Sequence, residues 1–212
     1  MAILEDISAF VQQGRAKNVK ALVTQALEEG IDAQQILNDG LLAGMDVVGE
    51  RFKKNEVYVP EVLLSARAMN MGTELLKPHL QGEAAVQKGT VELGTVKGDL
   101  HDIGKNLVHM MMEGKGLEVI DLGVDVSAER FIEAAKEHNA SIIACSALLT
   151  TTMGEMGNVV QLVKQNDLPV AVMVGGAPVT QAFADSIGAD CYTADAASCA
   201  DWALQYCQSH AS

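Results

Sequence analysis

The sequence predicts an α/β protein in which a bundle of four helices precedes a five-stranded parallel sheet. Two observations lead to this prediction. Apolar residues recur every three or four positions up to about residue 80, and short apolar segments alternate with helical ones after residue 89. The 212 residues are enough for two domains with separate apolar cores, so we expect a helical domain followed by a sheet domain.

Four amphipathic segments form the predicted bundle. They lie at 3–13, 17–29, 33–53 and from Pro60 to just before Pro78. Gly14 and Gly30 separate the first segments, and Asp32 is a candidate N-cap for the third. Proline suits a first helical turn because its missing N–H would be unpaired there anyway. Short connections between the segments favour an antiparallel bundle.

Five β-α units form the rest of the chain. The predicted strands are 90–96, 118–122, 141–146, 170–174 and 191–193, and the helical stretches lie near 104–114, 127–138, 153–165, 178–187 and 196–208. This alternation predicts a parallel sheet in flavodoxin-like (Rossmann-like) order, with the ligand site between the first and third strands. We expect domains at 1–80 and 90–212, joined by a polar linker at 81–89.

Composition excludes several classes of function. The formal charge of −13 repels phosphate backbones, so nucleic acid is not an expected partner. No apolar segment is long enough to span a bilayer, and the N-terminus is acidic where a signal peptide would be basic, so we expect a cytoplasmic protein without a membrane partner. The four cysteines include no C-x-x-C pair, which argues against a zinc ribbon or a thioredoxin-type site.

Polar and small residues follow three of the predicted strands. Asp99 and His101 lie in the first strand-to-helix loop, where the carboxylate can hold one ring nitrogen and direct the other at a metal or substrate. Ser146 ends the third strand and is expected to hydrogen-bond this carboxylate or the ligand. Gly175 and Gly176 end the fourth strand without side chains, which leaves room for a large ligand.

These residues form a D-x-H-x-x-G, S-x-L, G-G series that resembles the signature of the cobalamin-binding domain of methionine synthase, corrinoid methyl carriers and B12-dependent mutases. The resemblance implies that a cobamide binds with its lower base detached (base-off) and with His101 as the axial cobalt ligand (His-on). It also implies that Asp99 and Ser146 continue a hydrogen-bonded chain from His101. The other residues that match the cofactor-binding positions are Asp102, Ile103, Gly104, Leu148, Thr150, Gly175, Gly176 and Ala196.

Residues 49–69 resemble the helical cap of methionine synthase and of the methanol, methylamine and betaine corrinoid proteins, a cap that mutase domains lack. By matching position, Phe52, Val59 and Val62 would contact the methyl side of the corrin. The same side chains would also suit the core of the bundle, and the two roles are compatible.

The resemblance implies a corrinoid protein that cycles between Co(I) and methyl-Co(III). It would carry a methyl group from a substrate-specific corrinoid methyltransferase to a second methyltransferase with a tetrahydrofolate or thiol acceptor, and a reductive activator would restore oxidised cobalt. Such a carrier subunit has no separate active site for the donor. The methyl donor and acceptor, the lower base of the cobamide and the oligomeric state stay open.

Two alternatives belong to other classes. A B12-dependent sensor or regulatory module shares the cap and the binding fold, but it carries an additional DNA-binding segment that this acidic sequence does not indicate. A receiver or flavodoxin-like module without cobamide is the other alternative. Receivers need an acid where this chain has Ser146, and the first loop lacks the Ser/Thr-rich pattern that binds flavin phosphate.

Overall fold

A computed structural model describes residues 2–80 and 88–210. The described residues divide into two compact units. The first comprises 2–80 and 114–116, and the second comprises 88–113 and 117–210. Most of the predicted linker at 81–89 falls on residues 81–87, which lie outside the described residues. The domain limits at 1–80 and 90–212 therefore stay a prediction.

The first unit is helical. It contains α1 (Ala2–Gln12), α2 (Ala16–Glu28), α3 (Ala33–Gln35), α4 (Ala43–Lys53) and α5 (Val59–Leu76), with a π-helical segment at Ile36–Leu42 and a 3-10 turn at Lys77–His79. Asp32 caps α3 as predicted, because its side chain accepts the N–H of Gln35 at 3.0 Å. Proline stands near the start of α5, also as predicted.

The uninterrupted helix expected at 33–53 is wrong, since the π-helical segment separates α3 from α4. Gly40 lies in this segment, where an added Cβ would come within 3.0 Å of Ile7 Cγ2. The wider turn thus lies where the backbone passes close to α1. A hydrophobic repeat does not show such a segment, because π-helical turns occur as local interruptions within otherwise α-helical sequences.

The second unit is a five-stranded parallel sheet with helices between its strands. The strands are β1 (Thr90–Val96), β2 (Glu118–Val126), β3 (Ile142–Ser146), β4 (Ala171–Gly175) and β5 (Cys191–Tyr192). The helices are α6 (Ile103–Glu113), α7 (Ala128–His138), α8 (Gly154–Gln165), α9 (Gln181–Ile187) and α10 (Ala196–Ser209). The strand order β2-β1-β3-β4-β5 confirms the predicted flavodoxin-like sheet.

Strands β1, β3 and β4 are buried along nearly their whole length, which explains their apolar sequences. Strand β2 continues to Val126, beyond the predicted end at residue 122, and its pairing with β1 resumes after each of two register shifts. Gly123, in a left-handed conformation, is a local irregularity of the strand and not its end.

The switch point lies between β1 and β3. Ser146 of β3 pairs in register with Thr95 of β1 on one side and with Gly175 of β4 on the other. Because the strands are parallel, the loops that follow these three residues leave the same edge of the sheet. The candidate site residues in these loops are therefore brought together, as the sequence predicts.

Candidate functional site

The loop between β1 and α6 presents an imidazole that is held from one side. His101 Nδ1 lies 2.7 Å from Asp99 Oδ1, and this oxygen also accepts the backbone N–H of His101 at 3.1 Å. An ionised carboxylate only accepts hydrogen bonds, so the Nδ1 atom carries the hydrogen. In the neutral imidazole the lone pair is then on Nε2, and the side chain is 51% exposed. The structure thus contains the predicted pair of Asp99 and His101.

Asp99 itself is completely buried and joins the two loops of the switch point. Its second oxygen, Oδ2, accepts the backbone N–H groups of Leu148 and Leu149 at 2.8 and 3.1 Å. Burial alone would raise the pKa of the Asp99 carboxyl, but hydrogen bonds from His101 and from the two backbone amides outweigh it and hold this pKa well below its usual range. Asp99 is therefore an anion beside the imidazole.

The hydroxyl partner of Asp99 is Thr152 and not Ser146. The other expectation for Ser146, a hydrogen bond to the ligand, stays a prediction. Thr152 Oγ1 donates to Asp99 Oδ2 at 2.9 Å, and no such bond from Ser146 occurs among the described residues. Ser146 is still within β3, whereas Thr152 follows the turn that brings Leu148 and Leu149 to Asp99. The sequence shows three consecutive threonines here, and no periodicity distinguishes Thr152 from Thr150 and Thr151.

Thr95 is a second residue that sequence reasoning missed. It is fully buried near the end of β1, and its Oγ1 donates to the carbonyl oxygen of His101 at 2.8 Å. A threonine in a strand is ordinarily explained by β-propensity, so no sequence signal marks it. The bond holds the main chain of His101 to the strand from which its loop departs.

A buried lysine of α6 forms an ion pair with a partly exposed aspartate of β2. Lys105, in the first turn of α6, is 3% exposed, and its ammonium group donates to Asp121 Oδ2 of β2. Burial alone would raise the pKa of Asp121, but hydrogen bonds from Lys105 and the Gly123 backbone lower it. The ion pair fastens the start of α6 to β2, and sequence reasoning did not find it.

Four large apolar side chains are exposed in the two loops that Asp99 joins or directly after them in the chain. Leu100 and Ile103, on either side of His101 in the chain, are 72% and 77% exposed, and Leu148 and Leu149 are 44% and 41% exposed. Exposed apolar groups concentrated in one place indicate a binding surface. Two of them, Ile103 and Leu148, are predicted site residues.

The glycines at this edge have two different functions. An added Cβ at Gly104 or Gly175 would meet no atom within 4 Å, so open space lies beside both. At Gly176, with φ 132°, a Cβ would lie 1.8 Å from the carbonyl oxygen of Ala147. Gly176 is therefore required by the close approach of two backbones, whether or not a ligand is bound.

The remaining predicted residues differ in exposure. Asp102 and Thr150 are exposed in the same two loops, and Ala196 is buried as the first residue of α10. In the helical unit Phe52 and Val59 are partly buried and Val62 is completely buried. A contact between these three side chains and a cofactor stays a prediction.

The side chains of this site suit a metal ion whose other ligands come from a bound cofactor and not from the protein. Among the described residues no group of three or more histidine, cysteine, aspartate or glutamate side chains could hold a metal ion. His101 offers one imidazole nitrogen, which suits the axial position of a metal already enclosed in an organic macrocycle. The exposed leucines and isoleucine and the open space at two glycines suit a large, partly apolar group.

No helix within 2–80 or 88–210 is long and apolar enough to cross a membrane.

Comparisons with known proteins agree with this arrangement. A B12 binding domain model matches residues 89–200, and a second B12 binding domain model matches residues 3–77. The chain is 43% identical over 197 residues to dimethylamine corrinoid protein 1 of Methanosarcina acetivorans, with 92% of each chain covered. It is 45% identical over 172 residues to trimethylamine corrinoid protein 1 of the same organism, covering 79% of this chain and 80% of the relative.

A solved structure with a similar fold is the methanol:cobalamin methyltransferase complex MtaBC from Methanosarcina barkeri. The match has a TM-score of 0.89 and 30% sequence identity, and it covers 97% of this chain and 80% of the matched chain. The helical unit and the sheet unit are thus both represented in these relatives. The chain belongs to the corrinoid proteins, the family of B12-binding proteins to which these relatives belong.

Proposed function

We propose that this chain is a methyl carrier. It binds a cobamide and carries a methyl group on the bound cobalt from a substrate-specific corrinoid methyltransferase to a second methyltransferase. The observation that carries the proposal is the half-exposed imidazole of His101, held by the buried Asp99 at the switch point of a B12 binding domain. The relatives are methylamine corrinoid proteins and a methyltransferase complex, which favours a carrier over a sensory module.

In this proposal the cobamide binds base-off and His-on. Asp99 keeps the hydrogen on Nδ1 of His101 and leaves Nε2 free to coordinate. Because Asp99 is an anion, it also increases the electron-donating power of the imidazole. The corrinoid, when bound, supplies the metal centre that accepts and releases the methyl group.

The other residues of the site shape the surface around His101. Leu100, Ile103, Leu148 and Leu149 offer apolar contacts to the macrocycle and exclude water from its lower face. Gly104 and Gly175 leave space for the detached nucleotide tail, and Asp102, Thr150 and Ala196 are proposed to contact it.

The resemblance of residues 49–69 extends the proposal to the helical unit. There Phe52, Val59 and Val62 would protect the methyl side of the corrin. Val62 is fully buried in the bundle, so its contribution would be to hold α5 in place. Phe52 and Val59 retain partial exposure and are better placed for direct contact.

In this proposal the partner methyltransferase, and not this chain, selects the methyl donor. Relatives of nearly equal identity are named for dimethylamine and for trimethylamine, so overall similarity of the carrier does not select one amine. We propose a second methyltransferase with a tetrahydrofolate or thiol acceptor, and a reductive activator, as the further partners.

The test is methyl transfer to the reconstituted protein. The chain is loaded with hydroxocobalamin, reduced to the cob(I) state and mixed with candidate corrinoid methyltransferases of the source organism and their substrates, and the absorption spectrum follows methylation. We expect methylation only when a donor and its methyltransferase are both present. Failure of the wild-type protein to bind cobalamin would overturn the proposal.

The axial ligand is tested with a matched pair of variants. His101→Ala is expected to change the spectrum of the bound cobalamin because the imidazole is lost. His138→Ala, at the end of α7, is the control and should leave the spectrum unchanged, since α7 ends at the opposite edge of the sheet. An unchanged spectrum in His101→Ala would show that the His-on part is wrong.

A further inference from the structure

Strand β2 is irregular next to the loop that holds His101. In its pairing with β1 the register shifts between Leu93 and Gly94, and again between Gly94 and Val96. At the second shift β2 contributes one residue more than β1, and Asp125 adopts a left-handed φ of 56°. Such bulges turn a residue away from the regular ladder and are frequent beside functional sites.

Asp125 makes two hydrogen bonds to the start of the His101 loop. Its carboxylate oxygen Oδ1 accepts the N–H of Gly98 at 2.7 Å. Its own backbone N–H donates to the carbonyl oxygen of Asp99 at 3.0 Å. The two bonds run in opposite directions between the same segments, so they hold residues 98 and 99 to β2 at two points.

The imidazole depends on the backbone that these bonds hold. His101 Nδ1 contacts the side chain of Asp99, and the main chain of Asp99 is bound by Asp125. A shift of residues 98 and 99 would therefore move the carboxylate and turn Nε2 of His101. Asp125 meets residues 98 and 99 at the bulge of β2.

We propose that Asp125 is a positioning residue for His101. It fixes the loop backbone from which Asp99 orients the imidazole toward cobalt, and it acts through Asp99 without touching the ligand. The proposal rests on the proposed function, in which His101 is the axial ligand. It adds a residue of β2 to a site otherwise built from the loops after β1, β3 and β4.

The side-chain bond can be removed while the backbone conformation is kept. Asp125→Gly loses the carboxylate but tolerates the positive φ, and Asp125→Asn keeps an oxygen acceptor in a residue that also tolerates it. Asp167→Gly is the matched control, because Asp167 is an exposed aspartate with φ 49° that follows α8. The free energy of unfolding of each variant verifies that the fold is retained.

Two measurements test the proposal. Titration with hydroxocobalamin gives the dissociation constant, and electron paramagnetic resonance of the reduced cob(II) form reports the axial ligand. In the cofactor-free protein, amide hydrogen exchange reports the bond from Gly98. We expect Asp125→Gly to weaken binding about threefold to tenfold, to give mixed axial ligation and to speed exchange at Gly98. Asp125→Asn and Asp167→Gly should stay within about twofold of the wild type.

The outcomes separate this proposal from the proposed function. Wild-type protein that does not bind hydroxocobalamin, or His101→Ala with unchanged ligation, overturns the function and this inference with it. Changed ligation in His101→Ala together with wild-type binding, ligation and exchange in Asp125→Gly overturns the positioning role alone. Asp125→Asn that fails as badly as Asp125→Gly also contradicts it, because the acceptor atom would then be irrelevant.

Discussion

Asp99 joins the loop that carries His101 to the loop that follows β3. One of its oxygens binds the ring and backbone of His101, and the other binds two backbone amides and the Thr152 hydroxyl. A buried charge is tolerated only when hydrogen bonds replace its lost hydration. The orientation of the imidazole and the stability of this edge of the sheet therefore depend on the same carboxylate.

Removing the Thr152 hydroxyl should cost both stability and affinity. Thr152→Val keeps the shape of the side chain but takes one donor from a buried carboxylate, so we expect a loss of about 1–3 kcal/mol in the free energy of unfolding. Cobalamin binding should weaken as well, because the orientation of Asp99 is less constrained. Chemical denaturation and hydroxocobalamin titration measure the two effects.

Thr151→Val is the control for this prediction, since Thr151 is exposed in the same turn. It should leave stability and binding unchanged, and Thr152→Ser should retain most of both because it keeps the hydroxyl. Thr152→Val that behaves like Thr151→Val would show that the hydroxyl does not contribute.

Glu92 should make the stability of the protein depend on pH. It is completely buried in β1, and neither carboxyl oxygen has a hydrogen-bond partner among the described residues. Burial raises the pKa of Glu92 from 4.5 to about 7, although Arg130 lowers it and Glu137 raises it further. Between these two pH values the folded state binds more protons than the unfolded state, so stability falls as pH rises and levels off above about 7.

Denaturation of the wild type and of Glu92→Gln between pH 5 and pH 8 tests this prediction. As pH rises across this range, the free energy of unfolding of the wild type should fall by up to about 3 kcal/mol more than that of the variant, because glutamine does not titrate. Glu133→Gln, an exposed substitution on α7, should follow the wild-type profile. Parallel profiles for the wild type and Glu92→Gln would show that Glu92 does not cause the pH dependence.

At the scale of elements, the site is built from strand ends and the turns that follow them. Much of this could be predicted, because apolar strands followed by Gly, Ser and His at a switch point have few alternative arrangements. The bulges of β2 could not be predicted. They depend on how Gly123 and Asp125 fit against the neighbouring loop, and a sequence pattern does not contain that fit.

The two glycines at the end of β4 should respond differently to alanine. The Cβ added by Gly175→Ala would meet no atom within 4 Å, so the free energy of unfolding should stay within about 0.5 kcal/mol of the wild type. Gly176→Ala forces a Cβ onto the Ala147 carbonyl at positive φ, so a loss of about 3 kcal/mol or more, or failure to fold, is expected.

The affinity of Gly175→Ala for hydroxocobalamin shows whether the space beside Gly175 is used by the cofactor. Gly175→Ala should bind hydroxocobalamin more weakly than the wild type, because the added methyl group occupies space proposed for the nucleotide tail. A folded Gly175→Ala variant with wild-type affinity would show that this space is not used.

For the whole molecule, the arrangement of a helical unit before a parallel sheet follows from a change of hydrophobic period along the chain. The sequence does not show which hydroxyl group binds Asp99. That residue depends on a turn between Ser146 and Thr152 that has no regular period. The separation of α3 from α4 could not be predicted from the sequence for the same reason. Sequence patterns locate the site, and contacts between distant segments complete it.

His101 is the axial ligand only if its ring nitrogen lies beneath the cobalt. Protein labelled with ¹⁵N at histidine and loaded with unlabelled cobalamin should give, in the cob(II) state, an electron paramagnetic resonance spectrum with doublet superhyperfine splitting. Unlabelled protein should give triplets, and His101→Ala should lose the ¹⁵N doublets. Triplets in the labelled protein would show that the cofactor's own base is the ligand and would contradict the assignment of His101.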